Sequence, residues 1–130
     1  MIKEIIAIHK NHILSANAKT FNHHVVTQKK NAIKMETRLK FAGIKIEHPC
    51  ELIVGVCNLT GGKFDPPNTY PTIKAMVDEI VNCGCLPDDN SKVIEAMTFH
   101  RLPRRQDCQK GYYYFSLCFI PTRELKRKET

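Results

Sequence analysis

A chain of 130 residues, 42% of them hydrophobic, is sized for one core and one domain spanning 1–130. Lys and Arg number 20 against 13 Asp and Glu, and the net charge of +7 favours a polyanionic partner, because each phosphate contact releases condensed counterions. The N-terminal apolar run Ile5 to Ile8 is hemmed by Glu4 and His9, too short and too charged for a signal peptide, and no later run approaches a membrane span. A cytoplasmic protein with no membrane partner is therefore expected.

Six cysteines without a secretory signal read as reduced thiols. Cys57 and Cys118, inside apolar runs, read as small core residues. Cys83-Gly84-Cys85 lacks the two-to-four-residue gap of zinc knuckles, which argues against zinc.

In chain order, the isoleucine-rich segment Ile2 to His9 predicts a strand. Asn11 to Thr27 is polar and predicts a loop, in which His23 and His24 read as a solvated pair rather than metal ligands. Gln28 to Ala42 predicts a helix whose apolar face is Ala32, Met35, Leu39 and Ala42, closed by Gly43. Its other faces carry Lys29, Lys30, Lys34, Arg38 and Lys40, and such a basic helix suits either solvent or a phosphate backbone. Glu51 to Leu59 is apolar on both alternating sets, the pattern of a central strand. After the break at Gly61-Gly62, a second helix runs from about Tyr70 to Cys83. Its stripe is Ile73, Met76, Val77, Ile80 and Val81, with Asn68 or Thr69 as cap and Gly84 as stop.

Pro87 to Asn90 reads as a turn, Lys92 to His100 as a third strand and Tyr112 to Ile120 as an aromatic one. Tyr112, Tyr113 and Tyr114 read as packing residues of a core and a dimer face rather than a base-stacking platform, and His100 as facing solvent or DNA. The loop between the last two strands holds Arg101, Arg104 and Arg105, better candidates for DNA contact because guanidinium groups grip phosphate with two prongs. Arg123 to Thr130 reads as a frayed basic tail. The order predicts an α/β (α+β) layer, a small mixed sheet of about four strands with two main helices packed on it.

Acids cluster only around the second helix: Asp65 before it, Asp88 and Asp89 after it. Clustered carboxylates repel unless a cation neutralises them, and an all-oxygen set suits Mg²⁺ or Mn²⁺. In a basic protein that combination points to phosphodiester hydrolysis by metal-activated water. Read alone, the same acids are better explained as turn formers beside Pro and Asn. A helix about 20 Å long also separates Asp65 from Asp88, so the two ends meet only if the loops fold back or two subunits share a site.

The spacing changes that reading. Asp65-Pro66-Pro67-Asn68, then Lys74, Asp78, Gly84 and Asp88-Asp89, resembles the RusA family of Holliday-junction resolvases. That family's signature is D-x-D-N, a helix opening with a Lys and carrying an Asp one turn on, a Gly, then an Asp pair and a strand. The inserted Tyr70-Pro71-Thr72 looks like the branch carried by phages and prophages, and Ser15-Ala16-Asn17 echoes the family's Pro-Ser-Asn loop. The motif covers Asp65 to Ile94.

The resemblance implies a homodimer that cuts four-way DNA junctions symmetrically with Mg²⁺ or Mn²⁺ and needs no organic cofactor, a two-fold protein matching a junction's own symmetry. It makes Asp65, Asp88 and Asp89 metal ligands and catalytic residues. Lys74 would stabilise charge on the scissile phosphate, while Asp78 orients Lys74 and Asn68 supports the site. Two departures stand out: Pro67 occupies the place of the family's second Asp, and Lys74 comes about three residues late. The alternatives are a non-catalytic branched-DNA-binding dimer and a related nuclease acting on flaps or RNA.

Overall fold

Alternating isoleucines start the fold. In the computed structural model, which describes residues 1–17 and 22–129, Ile2–His9 form strand β1, with Ile6 and Ile8 buried and Lys3 and Ile5 turned outward. Helix α1 (His23–Phe41) follows, then β2 (Cys50–Cys57), a short 3-10 helix (Pro66–Thr69) running into α2 (Tyr70–Asn82), β3 (Ile94–Arg101), β4 (Tyr112–Pro121) and α3 (Thr122–Glu129). One mixed sheet of four strands has the order β1-β4-β2-β3, antiparallel except for the β2–β3 pair, which α2 connects. The expected central place of β2 holds, since it lies between β4 and β3 and alternation buries Leu52, Val54 and Val56 completely.

One hydrophobic cluster joins these residues to Phe115, Leu117 and Phe119 of β4 and to Ile73, Met76, Val77 and Ile80 of α2. The fold is thus α+β, with two main helices and one small mixed sheet. The stripe expected on α2 is the buried one, except that Val81 is only half-buried. Among the described residues no helix is long and apolar enough to cross a membrane.

Three expectations fail. Helix α1 begins at His23, one turn inside the expected loop, because the Asn22 side chain caps it by accepting from the backbone N–H groups of His24 and Val25. His23 and His24 are therefore helical residues. Residues 18–21 of that expected loop lie outside the described residues.

Second, α1 buries Ile33, Thr37 and Phe41, while Met35 and Leu39 are 59% and 74% exposed, so the expected face is the wrong one. Two apolar stripes interlace on this helix. The one ending in Phe41 wins because Phe41 packs edge-on against Phe119 across the core.

Third, the expected frayed tail is helix α3, anchored at its start by the Thr122 N–H to the Pro49 carbonyl (2.9 Å) and by an ion pair between Arg123 and Glu47.

On the other side of the sheet the chain after β3 lies across the strands. A Cβ on Gly55 would meet the Leu102 side chain at 2.6 Å, so any larger residue there would have to push Leu102 aside. Leu102, Cys57, Cys108, Arg105 and Tyr114 line a cavity of about 260 Å³ on this side. None of the six thiols is in a disulfide, and Cys118, expected in the core, is half-buried on this open face. Burial pushes the Cys50 thiol up to about 11, with Glu95 adding to the effect, which leaves that sulfur inert at neutral pH.

Candidate functional site

Helix α2 carries Lys74 on its exposed face, one turn from its start, and Asp78 one further turn along. Their separation of four residues brings the Lys74 ammonium to 2.7 Å from Asp78 Oδ1. The chain then turns back. Gly84 takes a left-handed conformation, and the N–H groups of Gly84 and Cys85 bond to the Val81 and Ile80 carbonyls. The returning segment carries Asp89 to the same ammonium, with Lys74 Nζ to Asp89 Oδ2 at 2.5 Å. The loop after α2 thus folds back onto the helix and joins residues fifteen positions apart, but it does not bring Asp88 or Asp89 to Asp65.

Asp88 shapes the end of this loop. One of its oxygens accepts from the Asp89 N–H (2.7 Å) and the other from the Asn90 side-chain amide (3.0 Å), while Asn90 Oδ1 accepts from the Lys92 N–H. These bonds delay β3, expected from Lys92, to Ile94. The charges perturb one another. Hydrogen bonds to Asp78 and then Asp89 hold the Lys74 ammonium well above its ordinary range. Lys74 in turn holds the Asp89 carboxyl below the usual carboxylate range.

Asp65 stands apart. It precedes the 3-10 turn, its backbone carbonyl accepts from the Asn68 N–H (2.9 Å), and its side chain lines an open cleft with Gly61, Gly62, Lys63, Phe64 and Arg101. Among the described residues no hydrogen bond or ion pair links Asp65 to Lys74, Asp88 or Asp89. Nor do any three His, Cys, Asp or Glu side chains stand together so as to hold a metal ion. The expected trio of Asp65, Asp88 and Asp89 is thus not a preformed cage. Mg²⁺ is ordinarily held by one or two carboxylates together with substrate phosphates and water. The neighbouring, solvent-accessible carboxylates of Asp88 and Asp89 fit that kind of site, one that a phosphate-bearing ligand would complete.

The Asn68 carbonyl accepts from the Ala16 N–H (2.9 Å), and no hydrogen bond among the described residues links Asn68 to Lys74, Asp88 or Asp89. The bond to Ala16 docks Ser15-Ala16-Asn17 beside the start of α2. A second clasp had no signal in the sequence. The buried Thr72 hydroxyl accepts from the Leu14 N–H (2.9 Å) and donates to the Leu14 carbonyl (2.8 Å). Thr72→Val keeps the shape and strands both Leu14 groups, so a loss of roughly 2–3 kcal/mol in urea unfolding is expected. An unchanged midpoint would show that the clasp is replaceable by water.

The expected DNA contacts divide. Lys30 is exposed, and Lys34 is half-buried. Lys29 is a tether, its ammonium donating to the Ile13 carbonyl at 3.3 Å. Arg104 is structural, donating to the carbonyls of Asn58 (2.7 Å), Tyr112 (3.1 Å) and Gln109 (2.7 Å), so it is committed to bracing its own loop. Arg105 pairs with Asp107 at the surface (2.9 Å). Arg101 donates to the Gly61 carbonyl at 2.7 Å yet stays exposed at the cleft beside Asp65. Tyr113 stacks on Phe115, Tyr112 meets His9 edge-on, and the Tyr114 hydroxyl accepts from the Gln109 N–H, all packing roles.

No protein-family model matches the chain, and no curated protein matches it.

Proposed function

We propose that the chain is an Mg²⁺- or Mn²⁺-dependent endonuclease of branched DNA, similar to the RusA-type resolvases and acting as a homodimer on four-way junctions. The observation that carries this reading is the meeting of Lys74, Asp78 and Asp89 at one exposed point, from positions the resolvase-like spacing singles out. A turn-forming role accounts for Asp88, but it does not account for Asp89 returning to a lysine on the helix before it.

In this reading Asp88 and Asp89 would hold the metal, and Asp65 would join them only once DNA or the second protomer completes the site. When bound, the metal supplies an activated water and neutralises charge on the phosphate. Lys74, kept protonated by its two carboxylates, faces the phosphate and stabilises charge as it develops. Asp78 positions Lys74 and would keep the ammonium in place where Asp89 serves as a metal ligand.

Incubation of a synthetic four-way junction with either metal, beside the same strands as duplex, flap and RNA substrates, tests the proposal. Paired symmetrical nicks that vanish with chelator are expected, with duplex left intact. One observation favours a second reading, a DNA-binding dimer without cleavage: Pro67 supplies no carboxylate and Asp89 is already engaged by Lys74. Tight junction binding without nicks under either metal would establish that reading instead.

A further inference from the structure

The cleft beside Asp65 is built with more care than a surface loop needs. The turn between β2 and the 3-10 helix is braced from within: the Gly61 N–H donates to Asn58 Oδ1 (2.6 Å) and the Gly62 N–H to Thr60 Oγ1 (3.2 Å). It is braced from outside by Arg104 on the Asn58 carbonyl and by Arg101 on the Gly61 carbonyl. Gly61 adopts φ +70°, and a Cβ there would press on Arg104 Cβ at 3.2 Å, so only glycine lets the turn lie this close. The result is a rigid wall on an open cleft of about 710 Å³, far more room than one ion or water needs.

Two cations, Lys63 and Arg101, border that cleft against a single carboxylate, Asp65. Arg101 uses one of its five N–H donors on Gly61, which orients the guanidinium plane and leaves its other donors for a ligand. Lys63 is exposed and forms no ion pair among the described residues. A rigid turn, an oriented guanidinium and a second ammonium suit a chain of phosphodiesters, which offers paired oxygens at regular intervals.

We infer that this cleft grips the sugar–phosphate backbone of the DNA strand next to Asp65, with Lys63 and Arg101 as its phosphate contacts. The inference rests on the branched-DNA reading above and deepens it, because it gives that strand two cationic contacts beside Asp65. Asp65, in the same cleft, repels a phosphate beside it until a cation intervenes, so Lys63 and Arg101 supply the attraction.

Binding of a labelled four-way junction, measured in chelator over a range of salt concentrations, tests the inference without requiring cleavage. Lys63→Gln and Arg101→Gln are each expected to weaken binding several-fold and to reduce the slope of log affinity against log salt by about 1. Lys3→Gln, an equal charge change on β1 at the opposite edge of the sheet, should leave both quantities near wild type. Thermal melts of Lys63→Gln check that an exposed substitution has left the fold intact. Wild-type affinity and slope in both cleft variants, with the wild-type protein binding normally, would overturn the inference alone. Failure of the wild-type protein to bind any branched DNA would overturn the proposed function, and the cleft assignment with it.

Discussion

Asp89→Asn is expected to lower junction cleavage by roughly 100-fold or more while leaving the fold and junction binding intact. Losing one preorganised charge at a phosphoryl site has an effect of that order on rate. The fold should not register the change, because the ion pairs involved are solvent-screened: Lys74 is 45% exposed, Asp78 44% and Asp89 31%. Pairs this accessible contribute about 1 kcal/mol or less. Junction binding should be unchanged or tighter, since removing a carboxylate lowers repulsion with phosphate. Single-turnover cleavage, equilibrium binding and a thermal melt on the same preparation separate these effects. Loss of binding and folding together would sink the reading of Asp89 as a metal ligand and make it a structural partner of Lys74.

The second large effect is expected at the contact between the two main helices, away from Lys74 and Asp89. Glu79 of α2 is 2% exposed, and its carboxylate accepts from Arg38 Nε of α1 at 2.7 Å, with Asn82 and Cys83 as further partners. Burial by itself would raise its pKa, but the hydrogen bonds, Arg38 first, outweigh burial and hold it below the ordinary glutamate range. Arg38→Leu strips the main partner from a buried charge and should destabilise the protein by roughly 2–3 kcal/mol at pH 7, less than for a fully buried pair because Arg38 itself is 58% exposed.

The pH dependence follows from the signs. In the wild type the folded pKa is depressed, so the stabilisation is complete above the unfolded glutamate pKa and is lost as pH falls through the folded value. In the variant burial dominates, the folded pKa is raised, and stability is regained as the carboxyl takes up a proton. Urea unfolding at pH 7 and near pH 4 should therefore show the gap between the two proteins narrowing in acid. Adding Glu79→Gln to Arg38→Leu should recover part of the loss at pH 7. A gap independent of pH would mean that packing, and not charge, is what Arg38 supplies.

This pair also shows why part of the molecule could not be read in advance. Arg38 and Glu79 are 41 positions apart, and in the sequence Arg38 is one of many basic residues on its helix. The pair is compatible with the face that α1 buries through Ile33, Thr37 and Phe41, which competes in the sequence with an equally plausible stripe through Met35 and Leu39. On α2 no such ambiguity existed, since only one of its faces is apolar, and the expected stripe is the buried one. Arg104 misled for a related reason: a guanidinium flanked by other arginines reads as a phosphate contact, while the folded loop offers it three carbonyls.

From the amino-acid sequence by itself came the order of the four strands and two main helices, the central place of β2, the buried stripe of α2 and the spacing of Lys74, Asp78, Asp88 and Asp89. All of these are local patterns, written in periods of two or about 3.6 residues or in a short motif. The tertiary structure alone decided that the loop after α2 doubles back to set Asp89 on Lys74. It also decided that Asp65 opens onto a separate basic cleft, and which lysines and arginines are tied to backbone carbonyls. Those outcomes depend on contacts between residues distant in the chain, whose partners become neighbours only once the sheet and helices have packed.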